Sequence, residues 1–298
     1  MLISLATERV IPGATVISGG GTTVDWILSL HSRPRRAQIL DERIRRAREL
    51  LATDAVAAEA KMRRIIELCR LHLGDRDLNT LDAEFTLGCT QVQIGRYDDA
   101  LATLSDSIAR YDVSLKVHRN EQRFARAWLW SARAELGERE RAVKELRAVV
   151  DEARAESGDD ADCTLHCQRQ LASVLNDTGE FAEAVAIMTD VVAGRTRRNG
   201  ADHRFTLCSR HDLGLYLVDV GELDRAEGEL AAAVAPSDTD VSCTIVCAYG
   251  AGRIAAGRGH RADAVRLYRS AIQGWTDLFG PDHPSAQMAR DRLAELGA

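Results

Sequence analysis

Proline and aromatic residues are scarce in this chain, and it has no long uncharged apolar run. Its 298 residues include five prolines, and Phe, Trp and Tyr together make up 5%. Because proline interrupts helices, and because Ala, Leu, Arg and Glu are frequent, this composition favours closely packed helices. No stretch approaches the roughly 18 consecutive apolar residues that a membrane-spanning helix requires. The sequence therefore contains no candidate membrane span, and we expect no membrane partner.

An export signal and an even set of cysteines are also missing. The first 21 residues lack a basic start, and Glu8 and Arg9 interrupt their apolar run, which is unlike a signal peptide. The seven cysteines are an odd number, which fits a reducing compartment better than a disulfide framework. We therefore expect a cytoplasmic protein.

A purely basic segment is absent as well. The net charge is −6, although the first 76 residues carry more basic than acidic groups. In that region Arg43, Arg45 and Arg46 follow closely on Asp41 and Glu42, which is typical of a solvated amphipathic helix. Nucleic-acid binding would require a basic face on a recognisable motif. We therefore expect no nucleic-acid partner.

What the sequence does contain is a repeat with a fixed period. Glycine recurs at intervals of 42 residues, and an alanine follows each of these glycines by five positions. Gly259 and Ala264 repeat the pair after a shorter interval of 38 residues. Periods of about 20 to 50 residues indicate stacked repeat architectures, which usually act through an extended surface. The four regularly spaced glycines are Gly95, Gly137, Gly179 and Gly221.

Each repeat unit contains two helical segments. In one unit the first segment has Leu207, Leu213 and Leu217 on one helical face. The second segment has Ala226 and Leu230 at the spacing of another apolar stripe. The intervening glycine accepts the left-handed conformation that ends a helix, so each unit is predicted to be an antiparallel helix pair. Small residues that would let the paired helices approach closely are Gly88, Ala172, Gly214 and Gly252.

These units resemble tetratricopeptide repeats, in particular the kinesin-light-chain-like subclass with the longer 42-residue period. The resemblance covers roughly residues 36–298 and rests on a lead-in pattern G-x-x-x-x-x-T-L, found as GDRDLNTL, GDDADCTL and GADHRFTL. It implies an all-α fold, a right-handed superhelical solenoid of antiparallel helix pairs. The third unit departs from the pattern because it lacks the lead-in glycine, and the fifth is shortened around PSDTDVS.

The resemblance divides the chain into two parts. Residues 34–298 are expected to form the repeat array, about six helix pairs followed by a C-terminal helix. Residues 1–33 lie outside the repeat as an N-terminal arm, either flexible or forming a cap, with a helical turn expected at 25–30. Three glycines at 19–21 suggest a phosphate loop only superficially, because the Gly-Lys-Ser/Thr ending is missing.

First helices line the concave face in tetratricopeptide repeats, so the resemblance implies a binding groove there. Offsets near 2, 5, 6, 9 and 12 from each leading threonine select polar, charged and aromatic residues. Amides and guanidinium groups hold a peptide backbone or carboxylate, and aromatic rings accept side chains. We therefore expect a scaffold or regulatory adaptor that binds a peptide segment or partner protein. The expected contact residues are Phe85, Trp128, His166, Arg169, Gln170, Asn176, His211, Asp212, Tyr249 and Arg253.

The alternative is an enzyme or small-molecule receptor whose site lies in the same groove, closed over by the N-terminal arm. A nucleophile motif, a cofactor loop and paired carboxylates are all lacking. His211 and Asp212 are neighbours on a helix, so they should point about 100° apart and not pair. Cys163 and Cys167 are zinc-ligand types, but the spacing C-x-x-C does not occur, and packing as small apolar residues explains them. We therefore favour a non-enzymatic role, with no catalytic residue, cofactor or metal assigned.

The last helical segment, residues 286–296, reads as a first helix without a second one. Met288, Leu293 and Leu296 give it an apolar face. A homo-oligomer formed through this helix is a further expectation.

Overall fold

The computed structural model describes residues 25, 28–51, 53–234 and 241–297, and the regular secondary structure within them is entirely α-helical. The predicted all-α repeat solenoid is therefore confirmed. Within the described residues there are thirteen helices: α1 (Arg33–Leu50), α2 (Ala55–His72), α3 (Leu78–Gln93), α4 (Tyr97–Ile108), α5 (Lys116–Glu135), α6 (Arg139–Ser157), α7 (Asp162–Thr178), α8 (Phe181–Asn199), α9 (Arg204–Asp219), α10 (Leu223–Ala233), α11 (Val241–Gly257), α12 (Arg261–Phe279) and α13 (Pro284–Glu295).

The helices form six pairs, from α1 with α2 to α11 with α12, and α13 packs on α12. The glycine between the helices of a pair has the backbone conformation expected from the sequence. Gly179 follows α7 with φ +93° and ψ 4°, the left-handed region that ends a helix. A side chain is unfavourable at such a φ angle, which explains why glycine recurs at this turn.

Paired helices approach closely where the first helix carries a small residue. A β-carbon added to Gly214 would lie 2.7 Å from Leu230 Cγ, and one added to Gly88 would lie 2.5 Å from Leu104 Cδ2. Both leucines are buried in the apolar core. The predicted role of these small residues is confirmed, because a larger side chain would push the paired helices apart.

The lead-in pattern has a simple physical basis. The hydroxyl of the leading threonine donates a hydrogen bond to the carbonyl of the glycine six residues earlier, and it fixes the loop that enters the first helix. Thr164 donates to Gly158 at 2.7 Å and Thr206 donates to Gly200 at 2.8 Å. In the unit without that glycine, Gln122 replaces the threonine and donates instead to the carbonyl of Ile108 at 3.1 Å.

The array curves until its last unit touches an early one. Successive first helices approach each other more closely than successive second helices do, which places the first helices on the inside of the curve. The Nε2 of His283 lies 2.6 Å from the carbonyl oxygen of Gln93. Pro284 packs against the turn at Gly95, where an added β-carbon would lie 3.0 Å from the proline ring. The end of the array is therefore closed against its second unit.

Part of the N-terminal region packs on the first helix pair. Leu28 is fully buried in a cluster with Leu40 and Ile44 of α1. Asp25 lies 3.1 Å from the Nε2 of His72 on α2. Most of the predicted N-terminal arm, including the glycine run and Trp26, lies outside the described residues.

The last helix is better packed than the sequence suggests. Leu293 and Leu296 pack against the apolar cluster of α11 and α12, so the expected exposed apolar face is reduced to Met288, which is 48% exposed. Among the described helices, none combines the length and apolar character needed to cross a bilayer.

Candidate functional site

The first helices α1, α3, α5, α7, α9 and α11 line the inner surface of the curved array. Side chains at matching positions of successive first helices contact each other across the seams between units, and the chemistry of these contacts changes along the array. The aromatic seam consists of Phe85, Phe124 and Trp128 on α3 and α5. The polar seam consists of Arg169, Asn176, His211, Asp212, Asp219 and Arg253 on α7, α9 and α11.

The aromatic seam is a chain of rings. The ring centroids of Phe85 and Phe124 lie 6.3 Å apart, and Phe124 meets the imidazole of His166 edge-on at 4.8 Å. Trp128 lies 6.1 Å from the same imidazole. Tilted and edge-on arrangements are the favourable ones for aromatic pairs. Since all three apolar rings are partly exposed, they can accept an apolar side chain of a ligand.

The imidazole of His166 marks the boundary between the two seams. Its Nε2 is buried and has no hydrogen-bonding partner in the part of the chain that the structure describes. Burial, assisted by the positive charges of Arg195 and Arg169, lowers the pKa of His166 well below its ordinary value. The ring is therefore neutral near pH 7.

The polar seam begins with a carboxylate shared by two cationic groups. Arg169 on α7 donates from Nε to Asp212 Oδ2 on α9 at 2.6 Å. The Nε2 of His211 lies 2.7 Å from the other oxygen, Oδ1, of the same carboxylate. The expectation that His211 and Asp212 cannot pair is wrong, because the two neighbouring side chains reach each other at this distance.

Charge pairing sets the protonation of this cluster. Burial alone would raise the pKa of Asp212, but Arg169 and His211 hold it well below the usual range. Burial also opposes protonation of His211, yet Asp212 outweighs it and raises the pKa of the imidazole. Asp212 is therefore ionised and His211 is drawn toward its charged form. The Nδ1 of His211 is buried and unpartnered within the described residues.

A second carboxylate joins three successive first helices. Asp219 on α9 accepts from Asn176 Nδ2 on α7 at 3.2 Å and from Arg253 Nη2 on α11 at 2.5 Å. The Oδ1 of Asn176 is buried and receives no hydrogen bond from any described residue. The polar seam thus offers an acceptor at one end and an imidazole nitrogen at the other.

Two residues expected to contact a ligand have other surroundings. Gln170 is 5% exposed, and its Oε1 accepts from the hydroxyl of Ser131 on α5 at 2.8 Å, so it connects α5 with α7. Tyr249 is 3% exposed and packs against Tyr268 and Trp275 of α12 with centroid distances of 5.8 and 5.3 Å. Tyr249 therefore belongs to the core of the last pair and not to the inner surface.

Sequence reasoning missed Asp219, although a signal for it exists. Acidic residues recur at the 42-residue interval two positions before the turn glycine, as Glu135, Asp177 and Asp219. It also missed Arg48, which donates to the hydroxyl of Thr86 at 2.7 Å and pairs with a carboxylate on α3. Asp219 lies one position beyond the last of the offsets that select the contact residues, and Arg48 lies in the first unit, which has no leading threonine.

The cysteines considered as zinc ligands contact backbone carbonyl groups. Cys163 Sγ lies 3.7 Å from the carbonyl oxygen of Asn120, and Cys167 Sγ lies 4.0 Å from that of Arg123. Among the residues that the structure describes, no group of three His, Cys, Asp or Glu side chains is placed to hold a metal ion.

Comparison with known proteins adds a family model and several solved structures. The model described as tetratricopeptide repeat matches residues 164–204 and 244–285. A Podosopora anserina protein described as a kinesin light chain with nearly identical TPR-like repeats is 21% identical, with TM-score 0.49 and coverage of 66% of this chain and 95% of its own. BtubC (BKLC) from P. vanneervenii is 12% identical, with TM-score 0.43 and coverage of 90% and 91%.

A Rap protein complexed with Competence and Sporulation Factor is 10% identical to this chain. Its TM-score is 0.52 and the match covers 88% of each chain. At this identity the likeness concerns the fold alone. No curated protein sequence matches the chain.

Proposed function

The chain is a tetratricopeptide-repeat protein with 42-residue units, and from that premise we propose that its inner surface binds a peptide segment of a partner protein. Proteins with this repeat fold generally act as scaffolds for protein interactions. The assignment of a peptide segment as the ligand depends on the side chains of the two seams. They present apolar rings beside polar atoms that lack partners among the described residues.

One observation carries the proposal. Asn176 Oδ1 and His166 Nε2 are buried on the inner surface without hydrogen-bonding partners among the described residues. A buried polar atom that lacks a partner costs free energy, so such atoms are rare unless a ligand or water satisfies them. A peptide backbone carries N–H and C=O groups at short intervals and can satisfy both atoms, while its side chains contact the rings of Phe124 and Trp128.

The Rap protein supports the proposal as an instance of the same fold with a bound molecule. Its structure is a complex with Competence and Sporulation Factor. Since that likeness is one of fold, it supports a binding role for the array and leaves the ligand of this chain to be identified.

The test compares two inner-surface variants with an outer-surface control. Trp128→Ala removes an aromatic ring, and Asn176→Ala removes the unpartnered acceptor. Leu71→Ala is the control, because Leu71 is 69% exposed on the second helix α2. Wild type and variants are used as bait in the native host, and a protein retained by wild type is purified and titrated against each variant. We expect Trp128→Ala to weaken binding by about tenfold or more, since aromatic residues dominate binding energy.

Circular dichroism and thermal melting of each variant separate lost binding from lost folding. Equal affinity of Trp128→Ala, Asn176→Ala and Leu71→Ala for the purified partner would show that the partner binds elsewhere.

A further inference from the structure

One repeat unit carries a buried arginine where three other units carry a buried alanine or aromatic residue. Arg195 on α8 is 7% exposed. The position sixteen residues after the turn glycine is occupied by Tyr111, Ala153 and Trp275 in other units, and all three are buried. A charged residue in this apolar stripe is costly unless it has a compensating interaction.

A second substitution accompanies the arginine. Arg195 donates from Nη1 to the hydroxyl of Ser209 at 2.7 Å and to the carbonyl of Phe205 at 2.8 Å, both on α9. At the position of Ser209, four other units have alanine or cysteine. These equivalent residues are Ala83, Ala125, Cys167 and Cys247. The unit therefore differs from its neighbours at two contacting positions, and both changes add polar groups.

The remaining donors of Arg195 have no carboxylate partner. No Asp or Glu among the described residues lies within ion-pair distance of its guanidinium, and the nearby Asp162 pairs with Arg198 at 2.9 Å. Burial, and then the charge of Arg169, lowers the pKa of Arg195 to about 10, so the side chain is still charged near pH 7. A buried charge without a counter-ion indicates that a further anion belongs there.

Two histidines belong to the same group of charged side chains on α7, α8 and α9. His166 lies near the charges of Arg195 and Arg169, and His211 lies near those of Asp212 and Arg169. The Nε2 of His166 and the Nδ1 of His211 are both buried, and neither has a protein partner in the described part of the chain. His211 is 7% exposed. Since its Nε2 is engaged by Asp212, its Nδ1 is a donor whenever the ring is protonated. The backbones of α7 and α9 are also farther apart than those of α5 and α7, so long side chains bridge the space.

The charges in this space do not balance. Arg169 and Arg195 carry two positive charges, and Asp212 carries one negative charge, which pairs with Arg169 and, when the ring is protonated, with His211. When His211 is protonated the excess is two positive charges, which a ligand with two negative charges neutralises and a single carboxylate does not. Several donors from three different helices also suit a tetrahedral group better than a planar one.

We propose that the unit formed by α7, α8 and α9 binds a phosphate group between His166, Arg195 and His211. His166 and Arg169 are partly exposed on the inner surface, so the group enters from there. The inference rests on the proposed function in that this site lies within the same ligand-binding surface. The phosphate group is carried either by a small molecule or by a phosphorylated side chain of a peptide.

The test is titration of the full chain with inorganic phosphate by calorimetry near pH 6.5. Arg195→Ala removes the guanidinium and introduces the residue that already stands, buried, at the equivalent position 153. Arg197→Ala is the matched control, because Arg197 lies on the same helix, is 61% exposed and pairs with Asp160 at the surface. We expect Arg195→Ala to weaken phosphate binding at least tenfold and Arg197→Ala to leave it unchanged.

A second measurement needs no variant. Bound phosphate should raise the pKa of His166, since a nearby anion favours the charged imidazole, and side-chain nitrogen NMR of the wild type reports this shift. Acetate serves as the monovalent comparison, and we expect it to bind at least tenfold more weakly. N-acetylphosphoserine amide tests the source: tighter binding than inorganic phosphate indicates a phosphorylated side chain, and equal binding indicates a small molecule.

Three results would overturn the assignment: no saturable phosphate binding by the wild type, equal loss in Arg195→Ala and Arg197→Ala, or acetate binding as tight as phosphate. None of them affects the binding of a partner protein measured with Trp128→Ala and Asn176→Ala, so failure of the phosphate site and failure of the scaffold proposal are distinguishable.

Discussion

The aromatic seam and the polar seam occupy matching positions of neighbouring units, yet different forces hold them together. At the aromatic seam, Phe85 packs against Phe124, and Phe124 and Trp128 both pack against the imidazole of His166. At the polar seam, Asp212 and Asp219 each join helices by accepting from cationic or amide groups. The same backbone geometry therefore supports two kinds of surface.

This contrast teaches where the array tolerates change. Loss of one ring costs only the apolar contact area of that ring, since the remaining rings keep their other apolar neighbours. Loss of a shared carboxylate leaves its partners charged and partly buried, which is far less favourable. Each prediction below compares the two seams, beginning with the largest expected effect.

Asp212→Ala should have the largest effect on stability. The change leaves Arg169 and His211 without their common counter-charge, and breaking a buried pair in this way typically costs about 3 kcal/mol or more. Urea unfolding at pH 7 measures the change in the free energy of unfolding. Asp160→Ala is the control, because Asp160 pairs with Arg197 in exposed surroundings. If both variants unfold at the same urea concentration, the polar seam does not stabilise the array.

Trp128→Ala should have a smaller effect on stability at the aromatic seam. The indole is only partly buried, so the loss should be about 2 kcal/mol, as for an incompletely buried large side chain. Because Trp128 does not titrate and its neighbour His166 is neutral above pH 7, the difference from wild type should be the same at pH 7.5 and pH 8.5. Urea unfolding at both values checks this, and a difference that changes with pH would remove the contrast between the seams.

The pKa values of His166 and His211 should depart in opposite directions from the ordinary value of about 6.5. His166 faces Arg169, Arg195 and the rings of α5, and its lowered pKa means that the folded state loses stability as the pH falls below 6.5. His211 faces Asp212, Cys208 and Arg169, and its raised pKa gives stability that is present below 6.5 and lost as the pH rises through the folded-state value.

Nitrogen NMR of the two imidazoles between pH 5 and 8 resolves these titrations. Asp212→Asn should lower the pKa of His211, since it removes the neighbouring charge. Coincident titration of both rings near 6.5 in the wild type would contradict the assigned environments.

Ser131→Ala should have the smallest effect. Its hydroxyl bonds to Gln170 across the junction of the two seams, and a neutral hydrogen bond contributes about 1 kcal/mol. Ser105→Ala, an exposed serine on α4, is the control for the helix propensity of alanine. A loss in Ser131→Ala that approaches that of Asp212→Ala would mean that the seams are coupled.

Much of the fold can be predicted from the sequence because each structural feature of the unit recurs at the same position in several units. The turn glycines, the small residues at Gly88 and Gly214 and the lead-in threonines each have one local physical cause, and repetition makes them recognisable. The tetratricopeptide resemblance stated from these patterns is confirmed by the family match. Closure between His283 and Gln93 was not predictable, because it depends on small rotations accumulated over several units.

The candidate site was predictable only in part. Offsets identify the face of each first helix, and Arg169, Asp212 and Arg253 lie in the polar seam as a result. Tyr249 was misplaced because α12 and α13 bury the last unit on both sides, and Arg292 on α13 interacts with its hydroxyl. Arg195 is not predictable in this way, because it lies on a second helix and the offsets select residues of first helices only.

The contact between the C-terminal helix and the second unit has a consequence for how the molecule comes apart. An open stack of repeats can fray from either end, since each unit depends only on its neighbours. Here the hydrogen bond between His283 and Gln93 spans 190 positions of the chain. The last unit is therefore held by the second unit as well as by its neighbour in the sequence. We expect local unfolding at the C-terminal end to destabilise the second unit as well, so that the repeats unfold together and not one after another.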